Sequence, residues 1–148
     1  MGVSFSGGGL AGKYLADLAE KVEKASLVRV GFLEGSTYPD GTPTALVAAS
    51  DEFGDPARNQ PARPYFRNMI AAKSPDWGKD LGKIMKLTQM DSEQALHVMG
   101  QRIKDQLQDS IRSLESPPLA PSTIAAKGFS KPLIDSSHML NTVDYEVK

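Results

Sequence analysis

The chain has 148 residues, 40% hydrophobic and 24% charged, ordinary globular usage that excludes a coiled-coil rod and a wholly disordered polymer. Lysines and arginines (17) nearly balance aspartates and glutamates (18), so no global basic field exists to neutralise a run of phosphates. The absence of cysteine removes disulfides, thiolate metal ligands and cysteine nucleophiles.

Residues 1–9 are polar and glycine-rich, without the apolar core of a signal peptide, and read as a flexible leader. Nowhere do about 18 apolar residues run together, so no membrane partner is expected. Residues 10–148 then form one domain, the usual outcome at this length.

Over residues 10–25, Leu10, Tyr14, Leu15, Leu18 and Val22 recur at helical spacing, with Lys13, Asp17, Glu20, Lys21 and Lys24 on the other side. Residues 27–33 put Val28, Val30 and Phe32 on one side of a two-residue alternation, which predicts a strand packed on that first helix. Pro39-Asp40-Gly41-Thr42 has the chemistry of a tight turn. Residues 44–53 read as a short helix carrying Leu46, Val47 and Phe53 among alanines, stopped by Gly54.

Pro56, Pro61 and Pro64, with Arg58 and Arg63 between them, predict an extended surface arm, because each proline removes a donor and disfavours helix before it. A turn or two of helix follows over residues 65–73 with Phe66, Met69 and Ile70. After Pro75, Trp77, Leu81, Ile84 and Met85 resume a helix weakened by Gly78 and Gly82.

The strongest element comes next. Asp91 is placed to cap a helix, Gln94 stands three residues later, and Leu96, Met99, Ile103, Leu107, Ile111 and Leu114 form one stripe. Pro117, Pro118 and Pro121 stop it and open a long loop over residues 115–132. Val143, Tyr145 and Val147 alternate with polar residues as a closing half-buried strand. The order predicts an α+β fold: a small antiparallel or mixed sheet on one long helix, with shorter helices and long proline-rich loops.

Catalytic patterns are sparse. Residues 7–13, Gly-Gly-Gly-Leu-Ala-Gly-Lys, fill the first seven places of a phosphate-binding loop, but Tyr14 stands where a magnesium-holding hydroxyl belongs. His97 shares a helix face with Glu93, Gln101 and Lys104, and no second histidine lies at metal-ligand spacing from it. Asp76 with Asp80, and Asp105 with Asp109, have one-turn spacing but no calcium-loop context. No glycine-flanked serine elbow occurs. Trp77, Tyr65 and Phe66 beside Arg63 and Arg67 could stack on bases, although aromatics at helical spacing are the usual content of a core. No cofactor and no metal is expected, and the chain does not read as an enzyme.

Five ordered blocks carry a resemblance. Residues 45–54 (ALVAASDEFG) have an alanine-rich helix ending in Glu52-Phe53-Gly54. Residues 61–67 (PARPYFR) form a Pro-x-Arg-Pro-aromatic-aromatic arm, and residues 92–100 (SEQALHVMG) open the long helix. Residues 117–127 (PPLAPSTIAAK) form a proline loop, and residues 131–135 (KPLID) lead to the terminal VDYEV strand. In this order they resemble the tail-completion and minor tail proteins of tailed bacteriophages, over about residues 44–148. One departure is Ser136-Ser137, where the family usually shows Thr-Gly.

The resemblance implies a structural virion protein of the tail or neck, present in the host cytoplasm during assembly. It implies a ring of identical subunits, a hexamer first and a dodecamer as the alternative, that completes the tail and joins it to the head connector. The partners would be the tail terminator, the tail tube or the connector and portal proteins, with DNA passing the lumen without sequence-specific binding. A ring needs two different patches per subunit. The candidates are the arms at 55–67 and 115–134: Glu52, Phe53, Arg58, Arg63, Tyr65, Phe66 and Arg67 around the first, and Pro117, Pro118, Leu119, Pro121, Lys127, Leu133 and Ile134 in the second. Tyr65 and Phe66 have a second reading, in which they pin the first arm to its own core. The competing functions are a nucleotide-binding protein using residues 7–13 and a DNA-binding accessory protein.

Overall fold

The computed structural model describes residues 9–114 and 138–148. In chain order they form α1 (Gly9–Glu23), β1 (Val28–Phe32), α2 (Thr44–Phe53), a 3-10 turn (Pro56–Arg58), α3 (Tyr65–Leu87), α4 (Ser92–Ser113), a four-residue α5 (His138–Asn141) and β2 (Val143–Val147). The fold is α+β.

Helix α4 is the centre because its stripe is apolar at every turn. Leu96, Met99, Ile103, Leu107 and Ile111 are all buried, and Leu114 packs against the same core. Burying each such side chain contributes roughly 1.5–3 kcal/mol, which gives α4 its hold on α3 and on both strands. Asp91 caps it as the sequence predicts, its Oδ1 accepting the Gln94 N–H at 3.0 Å.

Helix α3 lies antiparallel against α4: Ser110 Oγ donates to the Tyr65 carbonyl at 2.6 Å, Trp77 Nε1 donates to Gln106 Oε1 at 2.8 Å, and Arg102 meets Asp80 at 3.2 Å. The sequence predicts a break near Pro75, whereas α3 is one continuous helix of 23 residues with Pro75 inside it. An interior proline costs a helix about 3 kcal/mol, and burial of Met69 and Ile84 together with the packing of Trp77 and Leu81 on α4 outweighs that. The domain therefore has two long helices where one is predicted.

Strands β1 and β2 pair antiparallel, with Val28 opposite Val147, Val30 opposite Tyr145 and Phe32 opposite Val143. Both predicted alternations thus register apolar against apolar, and this face lies on α4. The predicted packing of β1 on the first helix is corrected: that site belongs to α4. Tyr145 fits there because residue 100 is glycine, since a Cβ on Gly100 would stand 2.8 Å from Tyr145 Cγ.

Helix α1 buries none of its residues, and Leu10 and Tyr14 stay largely exposed. Its C-terminal end is clasped to α4 instead. Lys24 Nζ donates to Asp91 Oδ2 at 2.7 Å, the Ala25 N–H donates to Ser92 Oγ at 3.0 Å, and Ser92 Oγ donates to the Lys21 carbonyl at 3.1 Å. Gly9, placed in the leader by sequence, is the first residue of α1.

The tight turn at Pro39-Asp40-Gly41-Thr42 forms as predicted. The Gly41 N–H reaches the Tyr38 carbonyl at 2.8 Å, Gly41 takes φ 87°, and Asp40 Oδ1 accepts the Thr42 N–H at 2.9 Å. That last bond holds the Asp40 carboxyl below its ordinary pKa. Residues 115–137, with the predicted proline loop, lie outside the described residues.

Candidate functional site

The first two resemblance blocks meet in space at the junction of α2 and α3. Helix α2 turns Thr44, Ala48 and Glu52, one turn apart, to the interior. Its larger apolar residues point outward: Leu46 is exposed, and Phe53 is 68% exposed. Glu52 is nearly buried, and its carboxylate sits at the first turn of α3. There it accepts the Phe66 N–H at 2.9 Å, the Arg67 N–H at 3.1 Å and Arg67 Nε at 2.7 Å. The backbone donors that a helix start leaves unpaired thus find a long-range cap, and the positive end of the helix dipole favours the same carboxylate.

Arg67 completes the junction by donating through Nη2 to the Glu52 carbonyl at 3.1 Å while its guanidinium lies 5.2 Å from the centre of the Phe53 ring. Gly54 makes the return possible. It takes φ 78°, and a Cβ there would meet the Ala62 nitrogen at 2.8 Å and the Gln60 carbonyl oxygen at 2.9 Å.

The predicted extended arm at 55–64 is instead a compact return loop. Asp55 and Gln60 exchange two backbone hydrogen bonds at 2.9 Å, Asp55 Oδ1 caps the 3-10 turn through the Ala57 N–H, and the Arg63 N–H donates to the Asp51 carbonyl at 2.7 Å. The prolines are accommodated because the loop closes through donors at the other positions.

The structure sorts the candidate residues of this region plainly. Tyr65 is in the core, its hydroxyl donating to the Ala48 carbonyl at 3.0 Å, and burial pushes its phenol pKa well above the ordinary value. Arg63 is buried as well, and among the described residues its Nε finds no hydrogen-bond partner. Phe66 is half-buried, 6.2 Å ring to ring from Tyr65. Phe53, Arg58 and Arg67 remain at the surface. Of these candidates Phe53, Arg58, Phe66 and Arg67 reach the surface, whereas Glu52, Arg63 and Tyr65 are buried. Pro117, Pro118, Leu119, Pro121, Lys127, Leu133 and Ile134 lie outside the described residues.

A cleft of about 290 Å³ opens between α2, the start of α3 and the end of β1. Phe32, Ala45, Ala48 and Ala49 line it together with the aromatic rings of Phe53, Tyr65 and Phe66 and the Glu52–Arg67 pair. The alanines were legible as helix content but not as lining. Their spacing of three and four residues is the signal, since small side chains on one helix stripe leave room for a neighbour.

Elsewhere, residues 9–13 are already helical, so the lysine of the phosphate-loop pattern stands on a helix and not in a loop. His97 is exposed, with Nδ1 3.4 Å from the Tyr145 hydroxyl, and Trp77 packs against the core. Asp105 accepts from Gln101 at 2.9 Å and Asp109 from Arg112 at 2.9 Å. Among the described residues no three His, Asp or Glu side chains converge as metal ligands, and no helix is long and apolar enough to cross a membrane. Comparison with known proteins finds no matching family model, no matching characterised protein and no matching solved structure.

Proposed function

We propose that this chain is a structural component of a tailed-phage virion, acting at the head-proximal end of the tail or in the neck as a ring of identical subunits. The supporting observation is the α2–α3 junction. The first two of the five blocks that carry the resemblance lock together through Glu52 and Arg67, and that lock holds Phe53 exposed beside an apolar cleft. An exposed aromatic over a guanidinium, next to a cavity lined by small side chains, is the composition of an assembly contact.

In this reading the ring, hexameric or dodecameric, meets the tail terminator, tube or connector on its faces, and DNA crosses its lumen without sequence-specific contacts. The near-balance of charge supports the last point. The protein waits in the host cytoplasm and ends in the virion. Removing its gene from a phage that carries it should leave heads and tails unjoined, and electron microscopy of antibody-labelled particles should place it at the neck. Normal yields of joined, infectious particles without the protein would overturn the proposal.

A further inference from the structure

Among the described residues, the two strands leave both outer edges of their sheet without a strand partner. Leu27 and Lys148 exchange reciprocal backbone hydrogen bonds at 3.0 Å, which fixes the alternation along the ladder. The pairs Arg29–Glu146 and Gly31–Asp144 therefore bond inward. The N–H and C=O groups of Val28, Val30 and Phe32 point away from β2, and those of Val143, Tyr145 and Val147 point away from β1. Among the described residues no third strand flanks either edge. The Tyr145 N–H, facing out, donates to the carboxylate of its own neighbour Asp144, at 2.9 Å in an exposed position.

We propose that neighbouring copies join edge to edge, β2 of one subunit pairing antiparallel with β1 of the next, so that one sheet runs through successive subunits. Three features agree on this occupant. Direction is the first: β1 and β2 are antiparallel, so β1 of a second copy beside β2 continues the same alternation. Side-chain facing is the second, because Val28, Val30 and Phe32 of the incoming strand share the face of Val143, Tyr145 and Val147.

Charge is the third and decides between arrangements. The solvent face of β1 presents Arg29, 61% exposed, and that of β2 presents Asp144, 57% exposed, and Glu146. Pairing β2 with β2 in full register sets Asp144 against Glu146, which is unfavourable across strands, and pairing β1 with β1 sets Arg29 against Gly31 and gains no charge contact. Only β2 with β1 brings opposite charges together. The existing partners are loose, Arg29 and Lys148 lying 3.4 and 3.5 Å from Glu146 and Lys104 lying 3.4 Å from Asp144, so these carboxylates have capacity for a further cation. Two different patches meeting head to tail are what a closed ring requires, and an open edge is a strand-pairing template by default. The inference rests on the ring reading above.

Hydrogen exchange on the full chain tests it. In assembled material the amides of Val143, Tyr145 and Val147 should exchange at least about tenfold more slowly than in dilute monomer, while those of Asp144 and Glu146 are protected in both. A charge swap gives a second readout. Arg29→Glu alone and Asp144→Lys with Glu146→Lys alone should each stay monomeric, and an equal mixture should recover an alternating ring by sedimentation. A ring whose edge amides exchange as in the monomer overturns this inference and leaves the ring standing. A chain that stays monomeric at every concentration tested overturns both.

Discussion

Glu52 and Arg67 hold each other by side chain and backbone at once: the carboxylate takes Arg67 Nε at 2.7 Å and its N–H at 3.1 Å, while Arg67 Nη2 donates to the Glu52 carbonyl at 3.1 Å. The end of α2 and the start of α3 are therefore one mechanical unit. Replacing Glu52 by Ala strands the Phe66 and Arg67 amides and should destabilise the fold by about 3 kcal/mol in urea unfolding. Arg67→Ala should cost about 1 kcal/mol or less, because its side chain is 56% exposed and water replaces the lost partner. Equal losses from the two variants would contradict the capping role of Glu52.

Gly100→Ala forces a methyl group into the Tyr145 ring. Overpacking of this kind costs roughly 1–3 kcal/mol, and the loss should appear as a lowered Tm. Combining it with Tyr145→Ala should recover part of that loss. A full, additive penalty in the double variant would show that the ring is not the obstacle.

The clasp between Lys24 and Asp91 makes stability depend on pH from both sides. The Lys24 hydrogen bond, with the Gln94 N–H behind it, holds the Asp91 carboxyl below its ordinary pKa. That stability is present above the ordinary aspartate range and disappears as pH falls through the lowered value. Lys24 is raised by the same bond, so its share is present below the ordinary lysine range and fades as pH rises through the raised value. Asp91→Asn should flatten both limbs in unfolding midpoints measured across pH, and an unchanged profile would remove the clasp from the account.

Leu46 and Phe53 are large, apolar and exposed, so Leu46→Ser and Phe53→Ser should leave the melting curve of the monomer within about 0.5 kcal/mol of the parent. Particle assembly should fall nonetheless if this surface is a subunit contact, scored as the ratio of joined to unjoined heads and tails. Retained assembly with both variants would move the contact elsewhere.

Much of this frame was legible because it rests on period and local chemistry. The stripe from Leu96 to Ile111, the Asp91 cap, the Pro39 turn and both strand alternations are short-range signals, and each forms as read. What escaped depends on distant partners. Pro75 and the two nearby glycines signal a break in α3 that packing on α4 overrides. The prolines before Tyr65 signal an extended arm, and nothing local reveals that the Asp51 carbonyl and the Glu52 carboxylate will draw the chain back. Nothing local reveals that position 100 must stay small, because the Tyr145 ring that lies on it stands 45 places later.

The antiparallel pair β1 and β2 joins residues 117 places apart in Arg29 and Glu146. Closing a loop of that length costs roughly 4 kcal/mol of chain entropy before any strand contact repays it. Helices α3 and α4, by contrast, are linked by a four-residue turn and collapse locally. The order of events on the ribosome follows from this: the helical hairpin assembles while synthesis continues, and the sheet waits until Val143–Val147 has emerged. The β1–β2 ladder thus forms late, after the helical hairpin that carries it has been laid down.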